Sequence, residues 1–424
     1  MKKIIISLIM LFLLPCLLTA EEVTLNLDEA IAIALRDNRS VLLKTEELNE
    51  AKAKLRESQS SLWPTLSLAA TKSSTKNLYE KDLTQTTAQA SLKQYLYKGG
   101  KTTSTIAQSR YKLTASEAAL EQIKLETALA VKKAFYTLLL SNEFARVNKG
   151  IVENTERHLQ ALEIRYRNGQ ASEKEILSVR EGLENAKTAY VESLNQVRTT
   201  QSLLRSLLYL DESVTIVADA TFAYEPREVA IEEGFLAAIQ TRPEIKKYEA
   251  ELNAAKKAVE ISKADTRPSI YASWDYYSRS HAALGTARGW NDYNVIGVTF
   301  SWPIFDGWAT KAKIDQAIAD VKQTQLNKDQ LAKDIALELE KAYAAMKNAI
   351  AELKKSEASA LYYERNLSEI NEKAARGIAS TLDVDDAQLS QTISLFNKNQ
   401  AIYNYTISQS EFDKATGVID REVL

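Results

Sequence analysis

Three carboxylates crowd four positions late in the chain: Asp383, Asp385 and Asp386. On a helix, residues i and i+3 share a face, so Asp383 and Asp386 stand together while Asp385 lies on another face, in solvent. Carboxylates packed in this way raise one another's pKa and bind multivalent cations. Ser380 lies three residues before Asp383, the spacing of a capping box. A cap accounts for Asp383 but not for Asp386. Ser172 and Glu175 repeat the spacing in the first half of the chain, with a weaker claim to the same role. Little else could do chemistry. His158 and His281 are far apart, share no motif and read as surface side chains. Gly-rich phosphate loops, zinc-ligand spacings and nucleophile motifs are missing. The residues therefore predict no enzyme, no cofactor and no metal centre.

The elements that must position these groups announce themselves by repetition. Leu27-Asp28-Glu29-Ala30-Ile31 returns as Ile231-Glu232-Glu233-Gly234-Phe235, and Trp63-Pro64-Thr65-Leu66 returns at the same offset as Arg267-Pro268-Ser269-Ile270. Farther on, Leu96-Tyr97-Lys98-Gly99 returns as Ile304-Phe305-Asp306-Gly307, and Arg167-Asn168-Gly169 as Ala375-Arg376-Gly377, with four residues inserted. A repeat this long fixes an architecture of two equivalent halves.

The first twenty residues read as a secretory signal. Lys2 and Lys3 precede an apolar run from Ile4 to Leu18, and cleavage is expected after Ala20. Cys16, the one cysteine, lies inside that run, where Pro15 and Leu17-Leu18 suit a lipoprotein signal poorly; the mature chain is then free of cysteine. Net charge is −2, which leaves no basic footprint for nucleic acid. No later apolar run approaches the ~20 residues of a membrane helix. An exported chain of this kind enters a membrane with strands or not at all.

Proline is absent between residues 65 and 225 and after 303. The stretches 101–166 and 308–374 read as helices, each on the order of 100 Å long at 1.5 Å per residue. Ile106, Leu113 and Leu120, and again Ile314 and Val321, recur every seven residues as a coiled-coil seam. Small residues such as Ala115 and Ala118 interleave with it and permit close approach. Gly169 and Gly377 end the outgoing helices, and Ser172 and Ser380 start the returning ones. Each half is thus a helical hairpin, with tips near 168–172 and 376–380.

Pro64 and Pro268 end shorter helices and open runs of period two. Leu66, Leu68 and Ala70 alternate with Ser67 and Thr71; Ile270, Ala272, Trp274 and Tyr276 alternate with Ser273, Asp275 and Arg279. Ala88, Ala90, Leu92 and Leu96 alternate with Gln89, Ser91 and Lys93, and Ile296, Val298, Phe300, Trp302 and Ile304 with Gly297, Thr299 and Ser301. Strands are predicted at about 65–76, 84–97, 269–279 and 292–304, joined by polar loops within 72–83 and 278–291. Their length suits a membrane strand, and Trp274, Tyr276, Trp302 and Trp308 suit its interfaces. Four strands cannot close a barrel, and lipid tolerates no open strand edge. Copies must therefore assemble, although this accounting does not choose how many.

The organisation expected is a leader over 1–20, a first repeat over 21–210, a connector over 211–228 and a second repeat over 229–424. The connector holds a short strand at Val214-Thr215-Ile216-Val217 and a turn at Glu225-Pro226.

This order of helix, strand hairpin and long helical hairpin, twice over, resembles the TolC family of outer-membrane efflux proteins. Leu25-x-Leu27-Asp28-Glu29-Ala30-Ile31 with Ala34-Leu35-x-x-Asn38 is similar to that family's opening motif. Trp63-Pro64-Thr65-Leu66 is similar to its helix-to-strand junction, and Gly377-Ile378-Ala379-Ser380-Thr381-Leu382-Asp383-Val384-Asp385-Asp386-Ala387-Gln388 to its second hairpin tip. The resemblance implies a mainly α chain with membrane β-strands, built from two tandem repeats of coiled-coil helices plus a β-hairpin. Three copies would form a twelve-stranded β-barrel in the outer membrane, standing on an α-helical barrel in the periplasm. It implies a passive exit duct for a tripartite efflux pump or type I secretion system, with a periplasmic adaptor and an inner-membrane pump as partners. Asp383 and Asp386 then become stacked carboxylate rings at the narrow end. The tips Gly169-Gln170-Ala171-Ser172 and Gly377-Ile378-Ala379-Ser380 become the adaptor contact. Some members lock the closed tip with an aromatic residue and an arginine; the matching positions here are Ala374 and Ala379, with Arg376 nearby. The rival reading is a periplasmic coiled-coil adaptor or scaffold without a channel, which would need a lipoyl-like module that this sequence lacks.

Overall fold

A reciprocal cap opens the first helix. Asn26 Oδ1 accepts from the Glu29 amide at 2.8 Å, and Glu29 Oε2 accepts from the Asn26 amide at 3.1 Å. In the computed structural model, which describes residues 22–78, 81–224, 231–283 and 289–417, this helix is α1, Leu27–Asp37. The expected leader with Cys16 and Ala20, and the turn at Glu225-Pro226, lie outside the described residues. Asn38 breaks the helix: its side chain donates to the Leu207 carbonyl and accepts from the Ser40 amide, both at 2.8 Å. α2, Arg39–Ser60, follows. In the second repeat the break falls at Arg242, because a residue before proline is pushed out of the α region. It separates α5, Ile231–Thr241, from α6, Pro243–Ala264.

The long helices are α3, Lys101–Arg167, and α7, Ala309–Ala375; each returns, as α4, Glu173–Leu208, and α8, Thr381–Thr416. Along the expected seven-residue seam the alanines are buried most deeply. Ala115, Ala118 and Ala317 are buried, whereas Ile106, Leu113, Leu120 and Ile314 are only half-buried. Close helix approach leaves room for a methyl group on the axis and pushes branched side chains to its flanks.

Among the described residues the strands form two sheets. β1, Glu22–Leu25, runs parallel to β4, Thr215–Ala218. The connector strand expected at 214–217 therefore sits one residue later and has a partner that the sequence did not suggest. The second sheet is antiparallel, in the order β2-β3-β5-β6: Thr65–Leu78, Lys81–Lys98, Ser269–Ala283 and Gly289–Ser301. Three expectations are corrected here. The hairpin strands run past 76 and 279 and start before 84 and 292, because the backbone ladder continues toward the turns, as far as Leu78 opposite Lys81 and His281 opposite Gly289. The last strand stops at Ser301 rather than 304, since Pro303 has no amide to donate. Leu96 falls in a bulge, where the register shifts between Tyr95 and Tyr97.

The compact units do not follow the repeats. One comprises Met1–Leu42, Ile123–Ala238 and Ala336–Leu424; the other comprises Leu43–Gln122 and Ile239–Ile335. Each draws on both halves, as expected when long helices pass from one to the other. The first unit has two apolar clusters. Leu25, Ile31, Phe135, Leu138, Leu204 and Ile216 form one, and Leu339, Met346, Ile402, Tyr405 and Phe412 the other. A Cβ on Gly234 would meet Thr416 Cγ2 at 2.9 Å, so the repeat counterpart of the fully buried Ala30 is smaller still.

The second unit holds the four-stranded sheet. Its register aligns Leu66, Leu92, Trp274 and Ile296 across one face, with Leu68, Ala90 and Tyr276 in the next row. That face is bare: Leu68 is 81% exposed, Ile296 80% and Val298 70%. Leaving an apolar side chain of this size in water costs about 1.5–3 kcal/mol. For Leu66, Leu68, Ile296, Val298 and Phe300 together that is on the order of 10 kcal/mol, comparable to the whole stability of a domain. The face must meet something apolar. At the base of the sheet Gly99, at φ +62°, lets the chain pass close to α6; a Cβ there would lie 2.6 Å from the Ala264 carbonyl oxygen. Arg267 donates to the Gly99 carbonyl at 3.0 Å, and Lys101 pairs with Asp265 at 2.7 Å.

Candidate functional site

Both helical tips are built by the same local rules. At the first, Gly169 takes φ +70°, its amide donates to Tyr166 and the Gln170 amide reaches back to Arg165 at 2.8 Å. At the second, Gly377 takes φ +73°, its amide donates to Ala374 and the Ile378 amide reaches back to Lys373 at 2.9 Å. A Cβ at either glycine would meet nothing within 4 Å. These glycines are present for the left-handed backbone, not for want of space.

Ser172 and Ser380 cap α4 and α8. The Ser380 amide donates to Asp383 Oδ2 at 2.7 Å and the Asp383 amide donates to Ser380 Oγ at 3.2 Å; Ser172 and Glu175 repeat the exchange. The Ser380 backbone amide, and then its hydroxyl, hold the Asp383 carboxyl below its ordinary pKa, and Ser172 does the same to Glu175. Within one chain the shift of Asp383 is therefore opposite to that expected from crowded carboxylates. Ala171 and Gln170 at the first tip, and Ile378 and Ala379 at the second, form the turns themselves, with Ile378 73% exposed. Arg376, just past the end of α7, is paired with Glu372 in its last turn. Pro64 and Pro268 stand immediately before β2 and β5, in the other unit.

Asp386 does not stand beside Asp383 as a second free carboxylate. Its Oδ1 accepts from Asn154 Nδ2 at 2.8 Å and lies 2.8 Å from His158 Nε2. Both partners come from α3, one helical turn apart on one face. Asn154 is buried, and its own Oδ1 has no partner. The buried amide therefore has one satisfied end, and Asp386 satisfies it. Asp385, expected in solvent, pairs instead with Arg157 at 2.8 Å and is the less exposed of the two aspartates. His158 is corrected from an idle surface side chain to a cross-repeat contact.

These bonds end a longer seam between α3 and α8, which run antiparallel. Lys133 pairs with Glu411, the Thr137 and Tyr403 hydroxyls lie 3.0 Å apart, and the Phe144 and Phe396 rings pack at 5.4 Å. The seam joins the first repeat to the second. Apolar contacts and neutral hydrogen bonds fill its middle, and charged pairs close it near the second tip. Sequence reasoning missed this site. The signal that carried it was the pattern Asn154-x-x-Arg157-His158 set against Asp383-x-Asp385-Asp386, which is complementary only in the antiparallel register that the fold selects.

Among the described residues no group of His, Cys, Asp and Glu could hold a metal ion, and no helix is long and apolar enough to cross a membrane.

The family described as outer membrane efflux protein matches residues 30–208 and 236–418, one stretch for each repeat. Protein CyaE of Bordetella pertussis is 25% identical over 228 residues, which cover 53% of this chain and 46% of that protein. The chain thus spans about half the length of this curated relative. Two solved structures have the same fold. A membrane protein from Pseudomonas aeruginosa aligns with a TM-score of 0.77 at 19% identity, covering 92% of each chain. The Campylobacter jejuni CmeC outer membrane channel aligns with a TM-score of 0.76 at 20% identity, covering 92% of this chain and 85% of that one.

Proposed function

Because the chain belongs to the outer membrane efflux protein family, we propose that three copies assemble into a passive exit duct through the outer membrane, serving a tripartite efflux pump or a type I secretion system. The observation that carries this reading is the sheet. It has one bare apolar face and, among the described residues, two unpaired edges, on β2 and β6. In lipid each unsatisfied backbone group costs several kcal/mol, so edges must be shared with sister chains until a ring closes. Three chains of four strands make twelve, within the range of membrane barrels. The scaffold alternative leaves the apolar face in water.

The helices then line a periplasmic tunnel, and the two tips meet the adaptor. An inner-membrane pump supplies energy and cargo, and this chain's own part is passive. The gate lies at the α7–α8 tip. Asp383 and, more weakly, Glu175 keep their negative charge through their caps and line the entrance. Asp386, held by His158 and Asn154, keeps α8 docked on α3. Opening is a sideways movement of α8 that breaks these bonds. Purified protein in a planar bilayer tests the reading: it should conduct in discrete steps that trivalent cations block from the tip side. A protein that never conducts, or whose block survives Asp383→Ala with Asp386→Ala, removes the duct or the gate respectively.

A further inference from the structure

The polar face of the sheet has a charge pattern that the acidic tips do not explain. Across it, Tyr95 and Tyr271 are register partners with ring centroids 5.6 Å apart. The Lys93 ammonium lies 3.8 Å from the Tyr271 ring and 4.9 Å from Tyr95, and the Lys98 ammonium lies 4.6 Å from Tyr95. Farther along the same face, Tyr277 and Tyr293 stack at 5.1 Å, and the Arg279 guanidinium sits 5.2 Å from each ring. Among the described side chains of this face, one carboxylate, Asp275, stands against these three cations, and Gln89 occupies it with a hydrogen bond of 3.1 Å. Among the described residues none of the three cations pairs with a carboxylate, and Arg279 Nε is buried without a partner. Tyrosine faces hold cations in place, but weakly compared with an anion.

We propose that this face forms an anion-recognising belt inside the barrel, built on Lys93, Lys98 and Arg279 and floored by tyrosines, which favours cargo carrying a carboxylate, sulfonate or phosphate on a planar or aromatic body. The proposal rests on the duct reading, which turns this face to the lumen. Threefold assembly then repeats each cation around the bore, and rings of Lys and Arg are how pores select anions. Low-dielectric walls focus the field of such a ring along the axis. The tyrosine rings present flat apolar surface beside each charge, a combination that suits an aromatic anion better than chloride. The duct would then be cation-favouring at its periplasmic tip and anion-favouring in its barrel.

The test is the reversal potential of the reconstituted channel in a potassium chloride gradient, with benzenesulfonate as the aromatic probe. Lys93→Gln with Lys98→Gln should raise the cation-to-anion permeability ratio about three- to tenfold, as expected for unit charges lost within a few ångströms of the ion path. Lys93→Arg should hold the ratio at the wild-type value, and Tyr271→Leu should weaken benzenesulfonate block while leaving chloride permeation alone. If the double variant does not assemble, Lys98→Gln alone is read in the same way, because that side chain is exposed. An unchanged ratio, or benzenesulfonate block indifferent to both lysines, overturns the belt while leaving the duct standing. A wild-type protein that never conducts overturns the duct and the belt with it.

Discussion

Asp386 and His158 are 228 residues apart in the chain and 2.8 Å apart in space, Oδ1 to Nε2. The contact binds α8 of the second repeat to α3 of the first, at the end of the seam nearest the second tip. Removing it should loosen that end. A hydrogen bond to a charged group is worth about 1.5–3 kcal/mol, so His158→Ala or Asp386→Asn should shift the closed-to-open ratio about ten- to hundredfold toward open. Single-channel open probability reads this directly. Lys93→Arg, in the other unit, serves as the control and should not move it.

The capping carboxylates give the tips a pH dependence. Asp383 and Glu175 have pKa values lowered by their bonds from Ser380 and Ser172. A carboxyl whose folded pKa is depressed contributes stability that is present above its unfolded value, about 4, and lost as pH falls through the lower folded value. Hydrogen exchange of the first-turn amides of α8 and α4 should thus be protected at pH 6 and lose protection below about pH 4. Ser380→Ala should cost α8 about 1 kcal/mol at neutral pH and weaken that pH dependence at the second tip alone, without abolishing it, because the backbone amide at 380 still donates to Asp383.

The glycine turns are open to a cheap check. Gly377 and Gly169 take left-handed backbone with nothing near the missing Cβ. Gly377→Ala should cost about 1–2 kcal/mol through the backbone alone, and Gly377→Asn should recover much of it. Limited proteolysis at the tip, compared across the three proteins, measures the order.

What could be read from the sequence follows from the range of each interaction. The capping boxes at Ser172 and Ser380 and the alternation around Leu66 and Ile296 are local rules of three and two residues, and they are visible in the string. The repeat doubled that evidence, because each local pattern occurs twice in the same order. The partners of Asp385 and Asp386 depend on how α8 is set against α3, and no local spacing encodes a helix register across 228 residues. The pairing of β1 with β4 was hidden for the same reason: each strand is four residues long and carries no turn to tie it to the other. The bulge at Leu96 was hidden because Tyr95, Leu96 and Tyr97 fit either face of a strand.

Burial of the sheet face separates the two sides of the proposed barrel. Ile296→Arg places a charge on the bare apolar face, where arginine near a bilayer midplane costs about 2–4 kcal/mol and would do so in every copy. Ser67→Arg, one face over, should be tolerated. Recovery of folded oligomer from outer-membrane fractions should fall sharply for the first and hold for the second.

The central claim is that β2 and β6 complete their pairing with sister chains. Native mass measurement of the detergent-extracted protein tests it most directly. The account predicts a particle three times the mass of the mature chain that collapses to single chains only on heating. A single chain that stays soluble without detergent, with the backbone amides of β2 and β6 exchanging freely, would contradict it.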